Sequence, residues 1–218
     1  MNLPDHHLDL GCGAVPRNPY GRGRVAGVDI RTLPASEGFD YRVANLVVQP
    51  IPFADDSFGS VSAFDFIEHV PRLLATPDGT GTTFPFIRLM DEVWRVLAPG
   101  GLFYALTPAW PHAEAFVDPT HVNIITEQTH EYFCGAEPLA RMYGFNGRFE
   151  ARRTGWVNLF DAYNAVPGAA GNRPQHTGLK RISRDLRAAS RKLRGKDDPG
   201  RRKVHLLWEL EAVKDRAG

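Results

Sequence analysis

The sequence predicts an α/β fold in which strands alternate with helices. Three observations carry that expectation. The segment His6-His7-Leu8-Asp9-Leu10-Gly11-Cys12-Gly13 reads as a short buried strand that runs straight into a glycine turn. A second apolar run, Arg24-Val25-Ala26-Gly27-Val28-Asp29-Ile30, begins after a short connection and closes on a carboxylate. Apolar residues at Phe86, Leu89, Met90, Val93 and Leu97 then repeat at helical spacing before another apolar run starts at Leu102. Strands alternating with helices build parallel sheets with covered faces.

At 218 residues, 43% hydrophobic and 23% charged, the chain suits one domain over residues 1–218 with a full core. No apolar run approaches the ~20 residues that span a bilayer, and the N-terminus lacks a basic region followed by an apolar signal core, so the expected location is the cytoplasm. Cys12 and Cys134 make no disulfide framework, and Cys12 reads as a small turn residue. The net charge of +1 conceals an asymmetry. Lys180 to Lys203 holds eleven Lys or Arg against three Asp, while the rest of the chain holds fifteen basic and twenty-two acidic residues.

Taken in order, Gly11 and Gly13 lack a Cβ, so the backbone there can take positive φ and let a ligand approach closely. A dinucleotide fingerprint would want a third glycine where Pro16 stands, so that reading fails. Tyr41 to Leu46 reads as a third strand, and Val61 to Asp65 as a fourth. The turn chemistry of Thr76-Pro77-Asp78-Gly79-Thr80-Gly81 predicts a mobile loop. The helix over 86–97 is expected to stop at Pro99-Gly100-Gly101, and a fifth strand follows over Leu102 to Thr107. Pro108 to Ile125 is rich in proline, histidine and aromatic residues, which suggests a functional loop. Thr126 is expected to cap a helix carrying Tyr132, Phe133, Leu139 and Met142. Arg148–Val157 and Val204–Val213 have the character of a closing antiparallel pair. Between them lies an insertion at about 161–203, in which Leu179, Ile182, Leu186, Ala189 and Leu193 form one stripe of a basic helix.

Five segments in this order, Leu8-Asp9-Leu10-Gly11-Cys12-Gly13, Val28-Asp29, Ile51-Pro52-Phe53-Ala54-Asp55-Asp56-Ser57-Phe58, Phe64-Asp65-Phe66-Ile67-Glu68-His69-Val70 and Arg95-Val96-Leu97-Ala98-Pro99-Gly100-Gly101, resemble a class I S-adenosylmethionine-dependent methyltransferase of type 11. That resemblance implies an α/β, Rossmann-like fold, an open, mostly parallel seven-stranded sheet with an antiparallel strand and helices on both faces. The resemblance covers roughly the first two thirds of the chain. It implies S-adenosyl-L-methionine as cofactor, with Asp9, Gly11, Cys12 and Gly13 at its methionine end and Asp29 at the ribose, Ile30 beside it. Asn45 and Leu46 would face the adenine, and Phe64 and Asp65 the far wall. Gly59 stands where the family usually has an aspartate, which should alter strand entry rather than chemistry. Only seven residues precede Leu8, so cover over the cofactor is expected from the 76–85 loop, the insertion or a partner subunit.

An alcohol acceptor must lose its proton as the methyl arrives, which makes His69, His112, Asp118 and His121 the base candidates. The segment Phe116-Val117-Asp118-Pro119-Thr120-His121-Val122, with Thr126 and Tyr132-Phe133, resembles a loop of small methyltransferases of bacterial surface-glycan biosynthesis. That likeness implies His121 as base toward a sugar hydroxyl and Asp118 as its partner or a substrate contact, with Trp110, His112 and His69 along the acceptor. The competing reading makes His121 a loop-packing residue, and Glu68-His69 a brace for the loop after the fourth strand. Asp118 and His121 could hold Mg²⁺, but two ligands are not a site, so no metal is expected. The basic segment suits an anionic membrane surface, a diphosphate-linked glycan carrier or plain solvent, and docking would place the chain at the inner membrane face. It lacks the aromatic residues of a nucleic-acid reader. The resulting expectation is O-methylation of a sugar hydroxyl in a surface polysaccharide or its precursor, with the oligomeric state open. The alternatives are a small-molecule or nucleic-acid methyltransferase, and an inactive cofactor-binding partner of another methyltransferase.

Overall fold

In the computed structural model, residues 2–33, 38–158 and 203–214 are described. A strand buried along its whole length forms the centre of the sheet. Strand β1 (His6–Leu10) pairs in parallel with β2 (Arg24–Asp29), and β2 with β3 (Asp40–Val43). On its other side β1 pairs with β4 (Phe58–Phe64), all seven residues of which are buried. A small hairpin, β5 (Leu74–Ala75) and β6 (Thr82–Thr83), precedes α1 (Pro85–Val96), and β7 (Leu97–Pro108) then joins β4 in parallel. Strands β8 (Phe149–Val157) and β9 (His205–Ala212) complete the order β3-β2-β1-β4-β7-β9-β8, in which β9 runs antiparallel to both neighbours.

A fully buried strand that carries serines must satisfy them. His7 of β1 does so from the next strand: Ser60 Oγ lies 2.8 Å from its Nδ1 and Ser62 Oγ 2.9 Å from its Nε2. Ser62 donates its one hydroxyl proton to Asp9 Oδ1 at 2.6 Å. It therefore accepts from His7 Nε2–H, which fixes the tautomer and leaves Nδ1 to accept from Ser60. Burial holds the His7 imidazole neutral, its pKa lowered to about 3.

Helix α1 explains two of the five sequence segments. Pro85 opens it at a position where a missing N–H costs nothing, and Phe86, Leu89, Met90, Val93 and Val96 face the core. Arg95 in its last turn spends its guanidinium on Ile51 O, Phe53 O, Asp55 and Glu92 at 2.7–2.9 Å, which ties the segment after β3 to the helix. Gly59 is set by space. A Cβ there would lie 2.2 Å from the Pro4 carbonyl oxygen, so the departure from the family's aspartate does concern how the chain enters β4.

Several elements differ from expectation. The helix ends at Val96, before Pro99-Gly100-Gly101, and those residues instead form a bulge that pairs Phe58 with Leu97 and Ser60 with Leu102. Strand β3 ends at Val43, so Asn45 and Leu46 lie in the turn beyond it. The 76–81 segment is the tip of the β5–β6 hairpin, held by Asp78 bonds to Thr76 and to the Thr80 hydroxyl and amide. The helix expected after Thr126 is replaced by two 3₁₀ turns, Thr129–Phe133 and Leu139–Tyr143, because Gly135 takes φ +90° and Pro138 precedes the second. Helical cover is thinner than expected, with α1 the one α-helix among the described residues. Among these residues no helix is long and apolar enough to cross a membrane. The stripe from Leu179 to Leu193, and nearly all of the 161–203 insertion, lie outside the described residues.

Candidate active site

The chain leaves β1 toward β2 and β3 on one side and returns to β4 and β7 on the other. The sheet thus reverses direction between β1 and β4, where open α/β sheets form a crevice beyond their strand ends. The glycine turn lies at this point. Gly11 and Gly13 have φ of +66° and +59°, and the ring of Phe66, just after β4, covers Gly11 so closely that a Cβ there would lie 2.7 Å from Cδ2. Asp9 is fully buried beneath the turn and accepts from Arg17 N–H at 2.7 Å as well as from Ser62. Burial raises its pKa to about 7 against the pull of those donors.

Asp29, at the end of β2, already has four hydrogen bonds. Gly13 N–H donates to it at 2.9 Å, Arg31 N–H at 3.0 Å, and the Arg31 guanidinium at 2.9 and 3.0 Å. Burial alone would raise its pKa, but these donors outweigh it and hold the carboxyl at about 2. Arg31 is solvent-exposed over 61% of its side chain, so the clasp can open. Ile30 stands exposed at the rim. Asn45 folds its side chain back onto Val47 N–H at 3.1 Å, a local turn.

Two expected pocket residues turn out to be packing residues. Leu46 belongs to the main core cluster, so its side chain does not form a pocket wall. Cys12 packs onto β2, where a Cβ on Gly27 would come within 2.5 Å of its Sγ, and burial raises its thiol to about 12. What Cys12 can offer a ligand is backbone. Phe64 is buried in a second cluster with Tyr104, Leu106 and Leu207, under the Arg17 guanidinium at 4.7 Å. Asp65 remains open, at φ +49°, with Oδ1 3.4 Å from His205 Nε2 across the sheet edge.

Beyond β4 and β7 a second group forms. The loop from Pro108 to Ile125 is stitched to the turn after β4: Val122 and Asn123 N–H both donate to Glu68 O at 3.0 and 2.9 Å, and Asn123 Nδ2 donates to Ile67 O. This brings Glu68, His69, Asp118 and His121 together from two distant stretches. His121 Nδ1 donates to Ala115 O at 3.0 Å, which leaves Nε2 as a bare lone pair, 4.0 Å from Glu68 Oε1 and 3.9 Å from Asp118 Oδ2. The His69 and His121 rings meet edge to face at 4.7 Å. Glu68 is 1% exposed; Thr107 Oγ bonds its Oε2 at 2.9 Å, while Oε1 has no hydrogen-bond partner. Burial raises the Glu68 carboxyl to about 8. The structure thus unites three of the four base candidates and adds Glu68. His112 is not among them. It lies with Trp110 in a groove of about 610 Å³ beyond the end of β7, its ring 4.8 Å from Trp156.

Residues 8–105, the span from β1 into β7, match the sequence model of the methyltransferase domain. The likeness over this span supports a methyltransferase that uses S-adenosylmethionine. Solved structures share its fold at low identity. They include a methyltransferase from Haloferax volcanii in complex with the Trm112 activator, at 15% identity over 98% of this chain and 85% of that one, with a TM-score of 0.53. An S-adenosylmethionine-dependent methyltransferase from Mesorhizobium loti is similar at 16% identity over 97% and 93%, with a TM-score of 0.50. One from Archaeoglobus fulgidus is similar at 13% identity over 95% and 86%, also with a TM-score of 0.50. A search of curated protein sequences finds no match.

Reading the methyltransferase from sequence missed Phe66, Arg31, His205 and Trp156. Phe66 stands inside the fourth segment, Phe64 to Val70, but only the fold lays its ring over Gly11. His205 and Trp156 belong to strands whose pairing alone carries them to the sheet edge, and no local pattern marks them.

Proposed function

We propose that this methyltransferase transfers its methyl group to a hydroxyl, of a sugar or similar polyol, with His121 Nε2 taking the proton. S-adenosylmethionine supplies a methyl carbon already activated by its sulfonium. The protein's remaining tasks are to hold the cofactor, orient the acceptor and accept a proton. The glycine turn suits the first: its two positive-φ glycines, the Asp29 carboxylate at the end of β2 and the open Asp65 surround the crevice at the switch point. Asp29 would hold the ribose hydroxyls once Arg31 swings out, with Asn45 and Ile30 on the adenine side.

The observation that carries the acceptor reading is the bare Nε2 of His121. Its other nitrogen is committed to Ala115 O, so the ring presents its basic atom to the carboxyl groups of Glu68 and Asp118. A neutral imidazole so oriented serves an acceptor that must lose a proton. The Trp110 groove, with His112, Glu127 and Gln128, offers an aromatic face and polar groups to a polyol ring. The glycan acceptor and a basic segment docked on an anionic surface or carrier extend this reading.

The test is transfer of labelled methyl to a panel of nucleotide sugars, glycan acceptors, phenols and amines. Activity confined to hydroxyl acceptors is expected, and His121→Ala should lower turnover by about 10²–10⁴-fold with cofactor affinity nearly unchanged. A normal rate for His121→Ala at saturating acceptor returns His121 to loop packing.

A further inference from the structure

We propose that Glu68, His69 and His121 form a binding site for a divalent transition-metal ion, with Asp118 as a fourth donor. One potential ligand atom from each of the three lies within 4.8 Å of the others. Their hydrogen bonds identify the atoms left free to ligate. Thr120 Oγ gives its single proton to Asp118 Oδ1 at 2.7 Å, so toward His69 Nδ1, 2.9 Å away, it must accept. Thr120 O, 3.3 Å from the same nitrogen, can likewise only accept. In the neutral ring His69 therefore carries its proton on Nδ1 and is bare on Nε2, as His121 is. Glu68 Oε1 adds a buried oxygen without a hydrogen-bond partner. With Glu68 ionised, three acceptors converge with no N–H or O–H between them, and a buried unpaired acceptor costs ~1–3 kcal/mol unless something positive satisfies it.

A cation is what that arrangement accepts. Each donor already has the outer partner that orients a metal ligand: Thr107 on the second oxygen of Glu68, Thr120 on His69 Nδ1, and Ala115 O on His121 Nδ1. Two imidazoles and a carboxylate favour zinc, manganese, iron or cobalt over magnesium, which prefers all-oxygen ligands. Ligands ~2.0–2.2 Å from a tetrahedral ion lie roughly 3.3–3.6 Å apart, so the cluster must close by about an ångström at its widest. His69 is partly exposed and can supply that movement. The sequence alone offered Asp118 and His121; the fold adds Glu68 and His69 from the turn after β4.

Whether the ion binds is independent of the acceptor reading. What it does there rests on that reading: with a cation on Nε2, His121 no longer takes the proton, and the ion instead acidifies the bound acceptor hydroxyl, whose proton passes to water as the methyl arrives. The experiment is titration of chelator-treated protein with Co²⁺, read by visible absorption and calorimetry. One equivalent should bind with the bands of a nitrogen-ligated, low-coordinate ion, Zn²⁺ should displace it, and His69→Ala and His121→Ala should each weaken binding by at least tenfold. Glu68→Gln should do the same with an unchanged melting temperature; if that variant does not fold, the two histidine variants decide. Equal Co²⁺ binding by wild type and the His69→Ala/His121→Ala double variant, or no binding up to about 1 mM, overturns the site. Loss of turnover in His121→Ala without a Co²⁺ signal would sink the metal and keep the hydroxyl reading. A Co²⁺ signal in a protein that methylates no hydroxyl would do the reverse.

Discussion

Two carboxylates border the C-terminal edge of the sheet, Asp29 after β2 and Glu68 after β4, and both are almost fully buried. Their charge states diverge nonetheless. Asp29 receives four hydrogen bonds and its pKa is held at about 2; Glu68 has Thr107 on one oxygen and nothing on the other, and its pKa is pushed up to about 8. Burial alone does not set the charge of a carboxyl; the donors that reach it do. The β1–β2 side of the site satisfies itself, down to the His7, Ser62 and Asp9 relay beneath the glycine turn. The β4–β7 side leaves an oxygen and two ring nitrogens for something else to satisfy.

The largest effect that would break this contrast concerns stability. On the satisfied side, Ser62→Ala orphans two buried groups at once, His7 Nε2–H and Asp9 Oδ1, and should cost about 2–4 kcal/mol. On the other side, Thr107→Val removes one donor from a carboxyl that already lacks a partner, and should cost about 1–2 kcal/mol. Urea denaturation of both variants checks the ranking, and a smaller loss for Ser62→Ala would mean the relay is not the closed network described above.

Next in size is cofactor affinity, which should separate the two sides. Loss of a charge-assisted partner costs ~1.5–3 kcal/mol, so Asp29→Ala should weaken binding of S-adenosylmethionine by at least tenfold. His121→Ala should leave it nearly unchanged. Calorimetry giving the reverse order would place the cofactor against the wrong carboxylate.

The same division governs what the sequence made legible. The satisfied side is local: Asp9, Gly11, Gly13 and Asp29 are signalled by short motifs, β1 and β2 appear where the apolar runs place them, and β4 begins at Phe58 rather than Val61. The Leu46 side chain packs in the core, because an apolar residue after a short strand can face core or ligand, and only packing decides. The other side depends on contacts between residues about fifty apart. Glu68 and His121 are each ambiguous alone, and their meeting rests on Val122 and Asn123 bonding to the Glu68 carbonyl, which no periodicity encodes. The missing helix after Thr126 has a nearer cause, since Gly135 and Pro138 interrupt a stripe that apolar spacing alone would have continued.

The smallest effect, and the one that sharpens the comparison most, is Arg31→Ala. In the wild type Arg31 takes three of the four hydrogen bonds on Asp29, through its amide and its guanidinium, so the ribose hydroxyls compete with the guanidinium for the same oxygens. Removing the side chain should tighten cofactor binding at neutral pH, by less than about tenfold, because an exposed ion pair is screened. Raising the salt should move the wild type toward the variant and leave the variant where it is. The pH dependence carries the opposite sign. A carboxyl whose folded pKa is depressed contributes stability above its unfolded value, near 3.8, and that contribution is lost as pH falls toward about 2. Without the guanidinium the Asp29 pKa moves back up, so Arg31→Ala should lose its carboxylate, and with it cofactor affinity and stability, at a higher pH than the wild type. Isothermal titration at pH 7 and pH 4 reads both halves: the variant should bind more tightly at the first and lose more on passing to the second. Weaker binding at pH 7 would show that Arg31 holds the cofactor rather than guarding its place, and Asp29 would then be satisfied by design rather than waiting for the ribose.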